Sequence, residues 1–188
     1  MKNLIILGAA RSGKTTLAQM IHKKYNYSII SIDSFVSALY DSFPVLGITH
    51  SNTEEKFKLL PPFLFSYMKK ITNEYPEENF ILEGWHVYPK EISELFCDKN
   101  FKIICLGYTK ISCEEGVKLI RKNEKENSYT KRMTDEKVKE LVWNHIRYSK
   151  ILKKQCQEVN IKFYDTSFER DSVLEEVMRY LINFNEEI

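Results

Sequence analysis

The sequence has little of what marks several classes of protein. It contains only six glycines and five prolines among 188 residues, and no repeat, low-complexity tract or inter-domain linker interrupts it. Its formal net charge of +2 is too small to favour a nucleic-acid or membrane-surface partner. No apolar run approaches the roughly 18–20 residues of a membrane span. We therefore expect one compact domain over residues 1–188, with neither nucleic acid nor membrane among its partners.

Cysteine is also scarce and scattered. Cys97, Cys105, Cys113 and Cys156 form no C-x-x-C pair and no spacing typical of a metal site. Scattered thiols of this kind are typical of a reducing compartment. We therefore expect a cytoplasmic protein.

The most informative segment lies close to the N-terminus. Residues 8–15 read GAARSGKT and match the phosphate-binding pattern GxxxxGK[ST]. A short apolar run precedes them and an amphipathic helix follows, an order that aims backbone N–H groups at a phosphate. A glycine-containing turn without a ligand would not need the Lys-Thr pair after its second glycine. The segment therefore predicts a nucleoside triphosphate site.

The predicted roles differ along this loop. Lys14 should reach the β- and γ-phosphates, and the Thr15 hydroxyl should ligate Mg²⁺. Because a cleaved signal peptide would remove the loop, we expect none. The residues predicted to contact the nucleotide are Gly8, Ala9, Ala10, Arg11, Ser12, Gly13, Lys14, Thr15 and Thr16.

Strand-like and helix-like segments alternate along the chain. Apolar or β-branched runs predict strands at residues 2–7, 28–31, 80–82, 101–106 and 161–164. The helical patterns between them predict an α/β fold with a five-stranded parallel sheet. Ligands bind such sheets outside the carboxyl ends of the strands, so the chemistry is expected in the residues after each strand.

Two segments depart from this alternation. Residues 41–75 contain Pro44, Pro61 and Pro62 and a helix-like run at residues 63–71. They predict either an inserted helical subdomain that covers the acceptor site or a long crossover packed on the sheet. Residues 121–133 are polar and basic without an apolar period, which predicts a mobile loop; the family resemblance described below implies that this loop is a lid.

An aspartate and a glutamate follow two of the predicted strands. Transfer of a phosphoryl group to a hydroxyl needs a group that accepts the hydroxyl proton or its hydrogen bond. Asp33 is the candidate for this role; the alternative is that Asp33 is the N-cap of the helix that follows. Glu83 is predicted to hold Mg²⁺ or to orient the acceptor.

The neighbours of these carboxylates are predicted to form the acceptor pocket. Gly84 would let the backbone approach a ligand closely. Aromatic and imidazole side chains would offer apolar faces with polar tips, although they would serve equally well as packing on the insert. The predicted substrate-binding residues are Asp33, Phe35, Glu83, Gly84, Trp85, His86 and Tyr88.

Together these segments resemble the small P-loop kinases. This group includes shikimate, gluconate, uridine, nicotinamide-riboside and nucleoside-monophosphate kinases, chloramphenicol phosphotransferase and the zeta toxins. Residues 83–89, EGWHVYP, look most like the E-G-x-H-x-x-P stretch of 2-phosphoglycerate kinases. Asp33 resembles the aspartate that serves the acceptor hydroxyl in uridine kinases and chloramphenicol phosphotransferase. The resemblance implies a three-layer P-loop NTPase fold and an ATP- and Mg²⁺-dependent kinase, which we expect to be a monomer or homodimer.

The resemblance also implies roles for residues far from the loop. In this group a lid supplies arginines that neutralise the transferring phosphoryl group, and Arg121 and Arg132 occupy that region here. The planar guanidinium suits this task because it holds two phosphate oxygens at once. Asp165 and Thr166 match the loop that cradles the adenine, largely with backbone atoms.

One absence narrows the acceptor. Between Arg11 and Arg121 the chain has no arginine, whereas relatives that bind anionic acceptors carry arginines in this stretch. Lysines such as Lys56 are poorer at bidentate recognition. The sequence therefore favours a small-molecule hydroxyl acceptor with little negative charge. A nucleoside-monophosphate kinase and a nucleotide-dependent switch NTPase are the alternatives.

Overall fold

The structure is a computed structural model that describes residues 3–50, 54–97, 100–124, 126 and 128–182. Strands and helices alternate along the chain, as the sequence predicts. The strands are β1 (Asn3–Gly8), β2 (Ser28–Ser31), β3 (Phe80–Gly84), β4 (Phe101–Gly107) and β5 (Lys162–Asp165). The α-helices are α1 (Lys14–Tyr25), α2 (Ile32–Ser42), α3 (Glu54–Glu74), α4 (Pro89–Leu95), α5 (Cys113–Lys122), α6 (Asp135–Glu158) and α7 (Arg170–Ile182).

The five strands form one parallel sheet in the order β2-β3-β1-β4-β5. This confirms the predicted α/β fold with its parallel sheet; of the predicted strand residues, Lys2 lies outside the described residues. β3 continues two residues past its predicted end because Glu83 and Gly84 pair with Ile6 and Leu7 of β1. The carboxyl ends of β1, β2 and β3 therefore meet at one edge of the sheet, and the segments that follow them share that edge.

Two apolar cores lie on opposite faces of the sheet. Because successive side chains of a strand point to opposite faces, Leu4 and Ile6 of β1 pack in one core and Ile5 and Leu7 in the other. The first core is closed by α1 and α7, and the second by α2, α3, α4, α5 and α6. The molecule thus has the predicted three layers.

Helix α3 is longer than the sequence pattern predicts. It begins at Glu54 and continues through Pro61 and Pro62, whereas the pattern predicts a helix only at residues 63–71. A proline inside a helix costs about 3 kcal/mol. Burying Leu60, Leu64 and Met68, each without exposed surface, contributes roughly 1.5–3 kcal/mol per side chain, which is of the same size as the cost of the two prolines. Because these three side chains join the core beneath the sheet, the segment packs as a crossover; its role as an acceptor-binding subdomain stays a prediction.

The segment predicted as a lid contains more regular structure than expected. Its first two residues end α5, and Tyr129–Arg132 forms a 3-10 turn in which Thr130 has no exposed surface. The buried threonine anchors this segment, which the absence of an apolar period did not predict. Lys125 and Asn127, also within the predicted lid, lie outside the described residues. Its mobility stays a prediction.

Helix α6 begins after Thr134, whose hydroxyl accepts a hydrogen bond from the backbone N–H of Lys137 at 3.4 Å. Among the residues that the structure describes, no helix is both long and apolar enough to cross a bilayer.

Candidate active site

The predicted phosphate loop connects β1 to α1 and has an unusual backbone conformation. The chain adopts left-handed dihedrals at Arg11 (φ 63°) and Gly13 (φ 103°). At Gly8 the backbone of β4 is so close that a Cβ would lie 2.1 Å from the carbonyl oxygen of Leu106, which no side chain tolerates. The two glycines of the motif are therefore required by the path of the chain.

Lys14 is folded back over this loop. Its ammonium donates a hydrogen bond to the carbonyl oxygen of Ala9 at 2.8 Å, and only 6% of the residue is exposed. Burial lowers the pKa of Lys14, although the carboxylates of Asp33 and Glu83 act in the opposite direction. The ammonium is thus held at the centre of the loop, beside two negative groups.

Thr15 at the start of α1 and Glu83 near the end of β3 form a pair of oxygen ligands suited to a metal ion. The Thr15 hydroxyl lies 3.3 Å from both carboxylate oxygens of Glu83, and Glu83 is 5% exposed. Burial raises the pKa of Glu83, against the effect of the Lys14 ammonium. Hydroxyl and carboxylate oxygens are the donors that Mg²⁺ prefers, so the pair fits the predicted metal position. In the part of the chain described here, no group of three or more His, Cys, Asp or Glu side chains is placed to hold a metal alone.

Asp33 is not the N-cap of α2. The cap is Ser31, whose hydroxyl accepts a hydrogen bond from the backbone N–H of Ser34 at 3.4 Å. Asp33 lies in the first turn of the helix, and its side chain is 52% exposed. Partial burial raises the pKa of the Asp33 carboxyl, and the nearby Lys14 ammonium lowers it by a smaller amount. The carboxylate is therefore free of a capping role and faces the lysine of the phosphate loop.

His86 and Lys56 stand behind Asp33. His86 Nε2 lies 3.4 Å from Asp33 Oδ1, and its Nδ1 lies 3.2 Å from the Lys56 ammonium. His86 is 1% exposed and Lys56 has no exposed surface, so neither presents a face to an acceptor. The predicted contact between His86 and a substrate is thus not supported by this arrangement, because both ring nitrogens already face protein groups.

Lys56 is a functional candidate whose sequence position suggested only weak recognition of an anionic acceptor and gave it no role beside Asp33. It lies four residues before Leu60 on the buried face of α3, and Leu64 and Met68 continue the same spacing. A lysine on an apolar stripe with a period of four was the available signal. Burial lowers the pKa of Lys56 to about 8, while Asp33 raises it.

The other predicted pocket residues divide between packing and the site. A Cβ at Gly84 would lie 2.5 Å from Cβ of Ile32, so this glycine serves the contact between β3 and α2 and not the approach of a ligand. Tyr88 stacks on Phe57 of α3 with ring centroids 4.7 Å apart. Its packing on the insert agrees with the alternative considered for the aromatic residues.

Phe35 and Trp85 lie nearer to Asp33. Phe35 makes edge contacts with Phe63 and Tyr67 of α3, at centroid distances of 5.3 and 4.9 Å. The ring of Trp85 lies 4.1 Å from that of His86, and its carbonyl accepts a hydrogen bond from the hydroxyl of Tyr148 at 2.7 Å. Both residues are partly exposed beside the aspartate, and their contact with an acceptor stays a prediction.

Arg121 is occupied by the segment that was predicted to be the lid. Its guanidinium donates to Asp135, Glu124 and the carbonyl oxygens of Thr130 and Met133, at 2.7–3.0 Å. These contacts use all five of its N–H groups. In this structure Arg121 therefore ties the end of α5 to the start of α6, and it has no donor left for a phosphate.

Two other arginines are better placed around the loop. Arg11 of the loop donates to the hydroxyls of Ser128 and Thr130, each at 3.2 Å, and so links the loop to the lid segment. Arg170 of α7 donates to the hydroxyl of Thr16 at 2.9 Å, and its buried Nε has no hydrogen-bond partner within the described residues. Arg132 is exposed at the end of the 3-10 turn, and its contact with a phosphate stays a prediction.

A cleft of about 520 Å³ opens beside the loop, between α5 and the β5–α7 connection. Arg11, Thr16, Tyr108, Thr166 and Arg170 are among the residues that line it. The predicted adenine-binding residues meet here. The Asp165 carboxylate accepts hydrogen bonds from Ser167 and Thr109, which outweigh the effect of burial and lower its pKa. Asp165 therefore shapes the wall of the cleft by its hydrogen bonds, and Thr166 lines it.

Comparison with known proteins finds a partial match in sequence and matches of the fold. No protein-family model matches the sequence. It is 29% identical over 99 residues to an adenylate kinase of Thermococcus sibiricus, a stretch that covers 53% of this chain and 43% of that protein. The chain thus matches less than half the length of this curated relative.

Solved structures match nearly the whole chain. A gluconokinase from Sinorhizobium meliloti matches with a TM-score of 0.62 and 12% identity, covering 97% of this chain and 92% of that one. A shikimate kinase from Bacteroides thetaiotaomicron matches with a TM-score of 0.52 and 14% identity, covering 96% and 98%. The predicted closeness to 2-phosphoglycerate kinases and zeta toxins stays a prediction. Identities this low show the fold alone, and that fold is the three-layer α/β fold of the small P-loop kinases.

Proposed function

We propose that the protein is a phosphotransferase that moves the γ-phosphate of ATP to a hydroxyl group of a small molecule and requires Mg²⁺. One observation carries the proposal: the buried Lys14, the Thr15–Glu83 oxygen pair and the half-exposed Asp33 converge at the same edge of the sheet. Phosphoryl transfer needs a cation on the phosphates, a metal position and a carboxylate facing the acceptor, and these groups supply all three.

The reaction assigns each group a step. The acceptor hydroxyl would lie against the Asp33 carboxylate, which accepts its proton as the oxygen bonds to the γ-phosphorus. The bond between that phosphorus and the β–γ bridging oxygen breaks, and ADP leaves. Lys14 would turn from the carbonyl of Ala9 to the phosphate oxygens and stabilise the charge that develops there.

Thr15 and Glu83 are the residues that would hold the metal. Mg²⁺ bound there would supply charge neutralisation on the phosphate oxygens. The protein contributes two adjacent oxygen donors, and waters and the nucleotide would complete the coordination.

The arginines that would neutralise the transferring phosphoryl group are the remaining part of the site. Because Arg121 has no donor left for a phosphate, we propose Arg11 and Arg170 as the arginines nearest the nucleotide. Arg11 lies in the loop itself, and Arg170 shares the cleft with it. A phosphate that displaces the hydroxyls of Ser128 and Thr130 from Arg11 would also loosen the lid segment from the loop.

The test begins with nucleotide binding. Isothermal titration with Mg-ATP should give saturable heat for the wild-type protein, and the Lys14→Ala variant should bind much more weakly and lose turnover. A thermal-shift screen of hydroxylated metabolites, run with a non-hydrolysable ATP analogue, should then find the acceptor because a bound ligand raises the melting temperature. Absence of heat at millimolar Mg-ATP would refute the proposal.

A nucleoside-monophosphate acceptor is the second candidate. The similarity to an adenylate kinase over 99 residues favours it. The absence of arginine between Arg11 and Arg121 weighs against an anionic acceptor. Coupled ADP release with each nucleoside monophosphate separates the two.

A further inference from the structure

We propose that Lys56 and His86 are positioning residues that hold the Asp33 carboxylate in its place facing the phosphate loop. The proposal rests on the function proposed above and deepens it. Three separate elements supply the chain of groups: Lys56 comes from α3, His86 from the loop after β3, and Asp33 from the first turn of α2.

Burial separates the acceptor-facing member of the chain from the two behind it. Asp33 has a side chain that is 52% exposed, whereas His86 is 1% exposed and Lys56 is fully buried. An acceptor that enters the site therefore meets Asp33 and not the other two. Their effect on the reaction must pass through the carboxylate.

The chemistry of the contacts fixes the state of the imidazole. A lysine ammonium has only hydrogen-bond donors, so the Nδ1 of His86, 3.2 Å from Lys56 Nζ, must accept. The neutral ring then carries its proton on Nε2, which lies 3.4 Å from Asp33 Oδ1. This contact lacks hydrogen-bond geometry in the present structure, and a small rotation of the ring or of the carboxylate would bring the Nε2–H into line with Oδ1.

The surroundings keep Lys56 on this line. Its ammonium lies 5.2 Å from the centroid of the Trp85 ring and 5.3 Å from that of Phe57, positions in which ring faces attract a cation. Its stem follows the buried stripe of Leu60, so the helix fixes its base. The lysine thus reaches across from α3 with little freedom to take another rotamer.

The role of Lys56 can be tested by substitutions that change its ammonium group. Lys56 is the side chain by which the crossover helix α3 contacts His86. Lys56→Met keeps the length of the stem and deletes only the donor. Lys56→Arg keeps N–H donors at the same position.

The first experiment reads the imidazole directly. Two-bond ¹H–¹⁵N NMR of ¹⁵N-histidine-labelled wild-type protein at pH 7 should show His86 with its proton on Nε2 and a bare Nδ1. Lys56→Met should lose this fixed tautomer, and Lys56→Arg should retain it. A wild-type His86 with its proton on Nδ1 overturns the proposal without any variant.

The second experiment reads the reaction, with Mg-ATP as the probe and water in the place of the acceptor. The rate of ADP release should fall at least tenfold in Lys56→Met, with the dissociation constant for Mg-ATP changed less than threefold, and should be largely restored in Lys56→Arg. Lys70→Met, a change at an exposed lysine of the same helix, should match the wild type.

The outcomes distinguish this proposal from the function on which it rests. Normal ADP release in Lys56→Met, with Mg-ATP bound normally by both proteins, overturns the positioning role and leaves the phosphotransferase standing. A wild-type protein that binds no Mg-ATP overturns the phosphotransferase and the positioning role together, whichever tautomer His86 shows.

Discussion

At the scale of single residues, the site is decided by which polar groups the fold has already satisfied. All the N–H donors of Arg121 bind protein oxygens, whereas Asp33 has an exposed carboxylate that does not cap α2. The type of each residue and its position along the chain had suggested a role in the reaction for both. The hydrogen-bond partners distinguish an arginine held by the protein from an aspartate that is available to a ligand.

Replacement of Asp33 by asparagine tests its role most directly. We expect Asp33→Asn to lower turnover by about 10²- to 10⁴-fold, because an amide cannot take the acceptor proton. The affinity for Mg-ATP should change by less than about twofold, since the phosphates contact the loop and not this side chain. ADP release with the acceptor from the thermal-shift screen, together with calorimetry, measures both. Full activity in the asparagine variant would return Asp33 to a structural role.

At the scale of elements, α3 and the lid segment show what holds the site's edges. α3 tolerates two prolines because the burial of its apolar stripe offsets the loss of the helical bonds that they remove. The lid segment is held by Arg121, whose contacts join the end of α5 to the start of α6. In both cases tertiary contacts determine an element that local propensity alone describes poorly.

The stripe of α3 gives a stability prediction with a matched control. Leu64→Ala should lower the free energy of unfolding by about 2–5 kcal/mol, because the fully buried side chain leaves a cavity. Leu59 lies on the same helix but is 42% exposed, so Leu59→Ala should cost less than about 1 kcal/mol. Urea denaturation compares the two. Equal losses would place the packing face of α3 elsewhere.

The lid gives a second prediction at this scale. Arg121→Ala should raise the hydrogen-exchange rates of backbone amides at residues 128–134, because that segment loses the donor to the carbonyls of Thr130 and Met133. Arg132→Ala, at an exposed neighbour, should leave those rates unchanged. Exchange followed by mass spectrometry measures the effect. If Arg121→Ala protects this segment as well as the wild type does, another contact holds it.

At the scale of the whole molecule, the buried His86 and the half-buried His145 link folding to pH. Burial, assisted by the charge of Lys56, lowers the pKa of His86 to about 3, and burial with the charge of Lys14 lowers that of His145 to about 4. In the unfolded chain both histidines take up a proton as the pH falls through about 6.5, whereas in the folded chain they stay neutral until the pH approaches their lowered pKa values. Between those values the unfolded state holds more protons, so stability decreases as the pH falls.

This effect predicts the pH profile of stability. The free energy of unfolding should decrease from pH 7 toward pH 4.5, with each histidine adding a slope of up to about 1.4 kcal/mol per pH unit. His145→Asn should flatten the profile, and the contributions of the carboxyl groups cancel in the comparison with the wild type. Urea titrations at a series of pH values measure the difference. Parallel profiles for the two proteins would show that His145 is protonated when folded.

Much of the site could be predicted because it depends on short-range order. The loop at residues 8–15 needs only its own spacing, and its neighbours β1 and α1 are continuous with it. Asp33 and Glu83 were placed near it by one rule, since parallel strands end at the same edge of a sheet. The glycine at position 84 was misinterpreted because the side chain that it accommodates, Ile32, comes from another element.

The sequence by itself determined the order of strands and helices, the phosphate loop and the carboxylates that face it, because each follows from patterns within a few residues. Only the tertiary structure decided that Lys56 stands behind His86 and that Arg11 meets Thr130, pairs that lie 30 and 119 residues apart. It also decided that the donors of Arg121 are used by Glu124, Asp135 and the backbone between α5 and α6. Such partners are chosen by packing and by the need to satisfy buried polar groups, and neither is written in local spacing.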